Sequence, residues 1–272
     1  MTLYAISEID DFEQIEKFLR NDQDYAAYAL GDLAPAYIDK TTWYIASQSG
    51  EIDALALIYT GLDPNVLFLM GKMPAMSALL LHGLGPETIF FAAPVACSDL
   101  LSNIYNIEYV YSMHRMRVTS GTFIPYEKKD DSVPEPILLT EDHMESLVKL
   151  QKLASKHDER EWSDVALTTD MLKAGFYYGI FEKDELIAAG GTHIIAHEIG
   201  VATLGNVVTH PDRRREGLGT LISSTVTSAL LEAEFKLVVL NVRQNNGPAI
   251  RVYRKLGYKR VAEFIEGEAT RY

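Results

Sequence analysis

Residues 206–221 read NVVTHPDRRREGLGTL. A β-branched apolar run ends at Thr209, Pro211 turns the chain, and Arg213, Arg214 and Arg215 precede the glycines at 217 and 219. Beyond them Leu218, Leu221, Ile222, Val226, Ala229, Leu230 and Ala233 recur at helical spacing, so the stretch predicts a strand, a short basic turn and a long helix. The first turn of a helix carries unpaired N–H groups at the positive end of the helix dipole, and together these make an anion site. Glycine lets the backbone approach a phosphate with no Cβ in the way. On these grounds the loop suits a diphosphate; a helix start with a solvated basic turn is the plainer alternative. Two other phosphate loops are excluded. The Walker pattern needs Lys-Ser/Thr after its last glycine, where this chain has Thr220-Leu221, and the dinucleotide fingerprint needs a third glycine and a parallel-sheet setting.

Downstream, residues 237–258 read LVVLNVRQNNGPAIRVYRKLGY: an apolar strand, a polar turn, a helix opening near Pro248 and a glycine at its end. Upstream, strand-like runs at 176–181, 186–195 and 201–209 predict an antiparallel meander. A short strand at 137–139 and an amphipathic helix on Met144, Leu147, Val148, Leu150 and Leu153 precede it, and a strand at 258–265 closes the chain. The order β-α-(α)-β-β-β-α-β-α-β predicts a mixed α/β (α+β) sheet and not a doubly wound parallel one.

R-x-x-G-x-G at 214–219, the V-x-x-x-P approach from Val207 to Pro211, and N-x-x-A-x-x-x-Y-x-x-x-G-Y at Asn246, Ala249, Tyr253, Gly257 and Tyr258 together resemble the GCN5-related N-acetyltransferase (GNAT) superfamily over roughly residues 135–265. The resemblance implies an acyl-CoA cosubstrate, usually acetyl-CoA, lying where two adjacent parallel strands part. It implies that the backbone of Val207, Val208 and Thr209 pairs with the pantetheine arm. The diphosphate would rest on the N–H groups of Arg214, Arg215, Glu216, Gly217, Leu218, Gly219 and Thr220, with Asn246 near the thioester end. Tyr253 would face the sulfur as general acid, a role open to a phenol of reference pKa about 10. The alternative for Tyr253 is a core aromatic on an amphipathic helix. The implied reaction is direct attack on the thioester by an amine of a small molecule, an amino acid or a peptide N-terminus. In ribosomal-protein alanine acetyltransferases, which the loop resembles closely, a Glu on the strand before the second helix is the base. Asn241 stands there in this chain and cannot take a proton. Glu159, Glu161 and Glu198 are the remaining candidates, with a water chain as a further alternative. The missing Glu keeps a second reading open, a non-catalytic acyl-CoA-binding sensor or scaffold.

The 272 residues carry 38 acidic and 25 basic side chains, a net charge of −13. Residues 1–132 hold 18 of the acidic and 8 of the basic ones, so the acid is concentrated in the first half. Such a chain is poorly suited to nucleic acid, whose binding draws on many Lys/Arg–phosphate contacts. No apolar run approaches the roughly 20 residues of a membrane helix, and the start lacks a basic region followed by an apolar one, so no membrane and a cytoplasmic setting are expected. Cys97, alone among apolar neighbours, reads as a buried thiol. His193 and His197 lie in a strand-like context without the Glu of HExxH, and no metal is expected.

Residues 126–136, YEKKDDSVPEP, hold six charges and two prolines and read as an extended linker, giving domains 1–130 and 131–272. The first half repeats the element order more faintly, most clearly where WYIASQSGEIDALAL at 43–57 parallels YYGIFEKDELIAAGG at 177–191. Two tandem GNAT folds are therefore expected, the N-terminal copy degenerate, with an FR47-like C-terminal domain as the subgroup layout; an unrelated α/β domain with a similar hairpin is the alternative. After its strand at 66–70 the first half reads GKMPAMSALL, without R-x-x-G-x-G. Such a copy would have lost cofactor binding and would shape the acceptor site or a homodimer contact.

Overall fold

The computed structural model describes residues 3–128, 133–157 and 167–272. Its elements run β1 (Ala5–Ile9), α1 (Phe12–Leu19), α2 (Ala27–Gly31), β2 (Thr41–Gln48), β3 (Glu51–Tyr59), β4 (Asn65–Gly71), α3 (Met73–Leu81), β5 (Thr88–Ala93), α4 (Ser98–Ser102) and β6 (Tyr105–Val118). They continue with β7 (Ile137–Leu138), α5 (Met144–His157), α6 (Thr169–Lys173), β8 (Tyr178–Glu182), β9 (Glu185–Ala196), β10 (Val201–Thr209), α7 (Leu218–Glu232), β11 (Leu237–Arg243), α8 (Gly247–Lys255) and β12 (Lys259–Arg271). With the short 3₁₀ turns set aside, one order, β-α-α-β-β-β-α-β-α-β, occurs twice. The chain is a tandem repeat of a mixed-sheet fold.

By contact the chain divides into a first unit of Met1–Arg115, Val242–Asn245 and Val261–Tyr272, and a second of Met116–Asn241 and Asn246–Arg260. This division differs from the boundary read at 130/131, because the last strand packs with the first unit. There β12 lies beside β5, antiparallel, in register from Ile265↔Ala93 to Thr270↔Thr88. Ile265 and Ala269 join the core made by Leu67, Leu69, Leu79, Phe91 and Leu101. In the remainder of that sheet β1 to β4 pair antiparallel in sequence order, and β4 and β5 run parallel across the α3 crossover. Strand β1, absent from the sequence reading, pairs from Ala5↔Ser47 to Ile9↔Trp43. Cys97 is buried, its Sγ 3.9 Å from the sulfurs of Met73 and Met76, and burial pushes its thiol pKa up to about 11. That setting makes it a packing residue.

The second unit repeats the pairing: β7 to β10 antiparallel in order, then β10 and β11 parallel across α7. Ile222, Val226 and Leu230 turn one face of α7 inward and are fully buried, each stabilising the fold by about 1.5–3 kcal/mol relative to exposure. Its buried hydroxyls are satisfied locally: Ser223 Oγ donates to the Gly219 carbonyl at 2.8 Å and Thr227 Oγ1 to that of Ser223 at 2.6 Å. Helix α5 begins after a capping box at Thr140 and His143, and its Leu147 and Leu150 meet Leu139, Leu172, Tyr177 and Leu186 in one cluster.

Candidate active site

Strands β10 and β11 keep parallel register from Val201↔Leu237 to Leu204↔Leu240, where it ends. Strand β10 continues against β9 on its other side, through Gly205↔Gly191, Val208↔Ala189 and Thr209↔Ala188. Val207, Val208 and Thr209 therefore lie past the parting of the two parallel strands, each half-buried. A strand edge released from its neighbour presents N–H and C=O groups that an extended ligand can pair with.

The edge leads directly into the basic loop. Pro211–Arg213 make a 3₁₀ turn, anchored by a hydrogen bond from the His210 N–H to the Ile187 carbonyl at 2.8 Å. Arg215 and Gly217 both take left-handed backbone, with φ 70° and 88°. Gly217 is the N-cap of α7, and no side chain caps the helix's first turn. Successive N–H groups around such left-handed positions form an anion-binding concavity. The φ of 88° at Gly217 favours glycine, and a Cβ there would stand 2.7 Å from the Tyr126 hydroxyl and push that side chain aside. Gly219 comes close to Thr209, whose Oγ1 lies 3.3 Å from where its Cβ would be, which joins the strand end to the helix start. The three arginines are not equivalent. Arg213 is held by Glu182 at 2.6 Å and Glu216 at 2.9 Å, so it braces the loop, while Arg214 is half-buried and Arg215 exposed.

Helix α8 carries the other predicted residues. Asn246 is its N-cap, the side-chain oxygen accepting from the Ala249 N–H at 3.2 Å. Tyr253 is 9% exposed, its ring 5.8 Å from that of Tyr258. Tyr258 is fixed by a 2.9 Å contact between its hydroxyl and Thr227 Oγ1, and burial raises its pKa, so it stays neutral. Asn241 occupies the first position of β11 past the last parallel pair and is half-buried. Glu198 is in the turn between β9 and β10, beyond the start of β10 at Val201, which itself lies four extended residues, about 13 Å, from Gly205; this puts it out of reach as a base for chemistry at the parting. Glu159 and Glu161 lie outside the described residues. Among the described residues no group of three or more His, Cys, Asp or Glu could hold a metal. His197 stacks on Phe235 at 4.6 Å, while His193 packs against Gly205.

The sequence reading missed several residues at this place. Tyr126 lies against Gly217, its N–H donates to Ser224 Oγ at 2.8 Å, and the Lys255 ammonium sits 4.2 Å over its ring. Residues 122–126 thus run along α7 and α8, with the Ile124 N–H bonded to the Leu256 carbonyl and the Thr122 carbonyl packed where a Cβ on Gly257 would be. Nothing in the short sequence TFIPY at 122–126, next to the charged run that follows it, signals this contact. Asn206 and Tyr177 were also missed, although a Gly-Asn step inside an apolar run is a recognisable sign of a bulge.

The first unit differs at each of these points. Its parallel register ends at Phe68↔Ala92, but β4 passes to α3 through Lys72 alone, with no loop between. The Leu69 carbonyl, the first past the parting, accepts from the Tyr25 hydroxyl at 2.7 Å.

Residues 177–265 match the family model described as FR47-like protein. The [ribosomal protein bS18]-alanine N-acetyltransferase of Escherichia coli K12 is 26% identical over 97 residues, a match covering 36% of this chain and 64% of that enzyme. The chain thus spans less than two thirds of the length of these curated relatives. A GCN5-related N-acetyltransferase of Sphaerobacter thermophilus superposes with TM-score 0.62 at 14% identity, covering 99% of this chain and 96% of that one. A tandem GNAT protein from the clavulanic acid biosynthesis pathway superposes with TM-score 0.56 at 14% identity, covering 98% of each chain. At such identities the two structural likenesses are of fold. No helix among the described residues is long and apolar enough to cross a membrane.

Proposed function

We propose that the chain is a GNAT-superfamily protein, by a fold present twice and an FR47-like sequence over residues 177–265, and that its second unit transfers an acetyl group from acetyl-CoA to an amine. The observation that carries the reading is the continuity of three features: the β10 edge past Leu204, the left-handed nest at 215–217 and the uncapped start of α7. Their order along the chain matches an extended arm ending in a diphosphate. The fit is chemical as well, since the loop is basic within an acidic chain and its tightest point lacks a Cβ.

When bound, the cosubstrate supplies an activated thioester carbonyl. Residues 207–209 would hold the arm by backbone pairing, and the N–H groups of 214–220 the diphosphate, with Arg214, Arg215, Lys255 and the Tyr126 hydroxyl close by. Tyr253 would give its phenol proton to the sulfur as the C–N bond forms and the C–S bond breaks. The proton lost by the amine leaves through water and restores the phenol. Asn241 orients and does not deprotonate. The first unit, with its connection cut to Lys72 and its strand edge taken by Tyr25, would hold no cosubstrate. The curated relatives' printed substrate, an alanine of ribosomal protein bS18, makes a peptide N-terminus one acceptor to try. A cytoplasmic setting goes with this reading.

Acetyl-CoA should raise the melting temperature of the wild type, and Gly217→Val with Gly219→Val should remove the shift. Absence of any shift in the wild type with a series of acyl-CoAs would end the cosubstrate reading. Release of free CoA across a panel of amines, amino acids and peptide N-termini then names the acceptor class. A wild type that binds acetyl-CoA and releases no CoA with any amine would favour the sensor, the reading that Asn241 motivates.

A further inference from the structure

Two buried polar groups near the parting of β10 and β11 have no hydrogen-bond partner among the described residues beyond each other: the hydroxyl of Tyr177, itself 0% exposed, and Nδ2 of Asn206. Native proteins keep few such groups, and each calls for a reason. These two lie together. The Asn206 carboxamide is near enough to lower the phenol's pKa against the larger raising effect of burial, which leaves Tyr177 neutral.

Asn206 is one residue past Gly205, where β10 has left β11, and its backbone is left-handed with φ 51°. Asn206 and Val207 together fall between the pairs Gly205↔Gly191 and Val208↔Ala189, opposite Gly190 alone, which makes them a β-bulge. A bulge takes the extra residue's backbone groups out of the ladder and re-aims them. Tyr177 cannot drift. Its ring fills the space over Gly191, where a Cβ would stand 2.1 Å from Cδ2, and leucines 139, 147, 150, 172 and 186 close round it.

The first unit is an internal control. The hairpin at 43–57 places Trp43 where the second unit has Tyr177, and the Trp43 indole N–H is satisfied locally by Thr41 Oγ1 at 2.8 Å. Strand β4 pairs with β3 without a break from Val66 to Gly71, so the matching strand of the unit without a phosphate loop has no bulge; the register shift in that unit is at Ala46/Ser47 in β2. The β10 bulge and the buried aromatic–amide pair occur together, in the unit that carries the phosphate loop.

We propose that Tyr177 and Asn206 are a positioning couple: the phenol anchors the carboxamide, the carboxamide holds the left-handed bulge, and the bulge aims a backbone N–H of 206–207 at the carbonyl oxygen of the bound thioester. This rests on the acetyltransferase reading above. Neither residue touches the reacting atoms through its side chain.

The test compares wild type, Tyr177→Phe, Asn206→Gly and the double variant for kcat, KM for acetyl-CoA, acetyl-CoA affinity by calorimetry and melting temperature. Glycine keeps the left-handed backbone accessible while deleting the carboxamide. Each single change should lower kcat about tenfold, as expected for a donor knocked out of line, and leave affinity within about twofold. The double variant should be no slower than the slower single one, because the two act as a unit. Unchanged kcat in folded Tyr177→Phe, multiplying losses in the double variant, or affinity falling in step with kcat would each overturn the couple. Should Tyr177→Phe fail to fold, Asn206→Gly carries the same kcat-against-affinity test alone. A wild type without turnover on any amine refutes both readings, whereas an active wild type with unaffected variants refutes only this one.

Discussion

Tyr253 packs beside a second tyrosine, and the two differ in their surroundings. Tyr258 is committed to Thr227 and neutral, whereas Tyr253 stands where the motif places a proton donor. Tyr253→Phe keeps the ring and its packing, so acetyl-CoA affinity should stay within about twofold while turnover drops about tenfold or more. Equal turnover in the two proteins would remove the general-acid role. A second residue-scale prediction concerns Asp32, which ends α2. Burial raises its pKa from 3.8 to about 8. Below the unfolded-state value the carboxyl is neutral in both states and has no effect on stability relative to a neutral side chain. As pH rises from about 4 towards 8 the unfolded chain ionises and the folded one resists, so this group progressively destabilises the fold. Asp32→Asn should therefore raise the melting temperature at pH 7 and leave it nearly unchanged at pH 4, compared by calorimetry at both. A gain of equal size at the two pH values would contradict burial of the charge as its cause.

At the scale of elements, α7, α8 and the stretch between Thr119 and Tyr126 act as one piece, since Tyr126 touches the α7 N-cap and carries Lys255 over its ring. Lys255→Ala should weaken acetyl-CoA binding about fivefold, with a smaller loss for a pantetheine lacking the nucleotide. Equal losses for the two ligands would show that Lys255 supports packing and not phosphate. This contact explains what a sequence can and cannot reveal here. The β10–loop–α7 segment was legible because β-branched runs, a proline, adjacent arginines and two glycines each signal a local conformation. The hairpins at 43–57 and 177–191 were legible for the same reason. Strand β1 was not, because a five-residue strand with three exposed positions has no apolar alternation. Helix α2, Ala27–Gly31, is likewise too short to show a period. The seat of Tyr126 and the pairing of Tyr177 with Asn206 depend on groups 98 and 29 residues away, at Ser224 and Asn206, and no local pattern encodes such a partner.

For the whole molecule the telling strand is β12. Its sequence marks it as a strand, but its partner, β5, lies far back in the chain, and the reading assigned it to the second domain. The first unit depends on it physically. Six consecutive register pairs join it to β5, Ile265 and Ala269 complete the core, and Phe264 faces Tyr25 at 6.0 Å with the Arg115 guanidinium 4.9 Å over its ring. Arg115 is buried, and losing Phe264 would strip one side of the aromatic setting that shelters the cation. A chain ending at Arg260 would also expose the β5 edge, an apolar strand of sequence TIFFAA. Residues 1–118 hold one complete copy of the ten-element order, yet expressed alone they should aggregate or unfold without cooperativity. Joined through a flexible linker to residues 259–272 they should give a cooperative thermal transition. A sharp transition in 1–118 alone would mean that β6, the tenth element of that copy, can take the place beside β5 that β12 occupies in the intact chain.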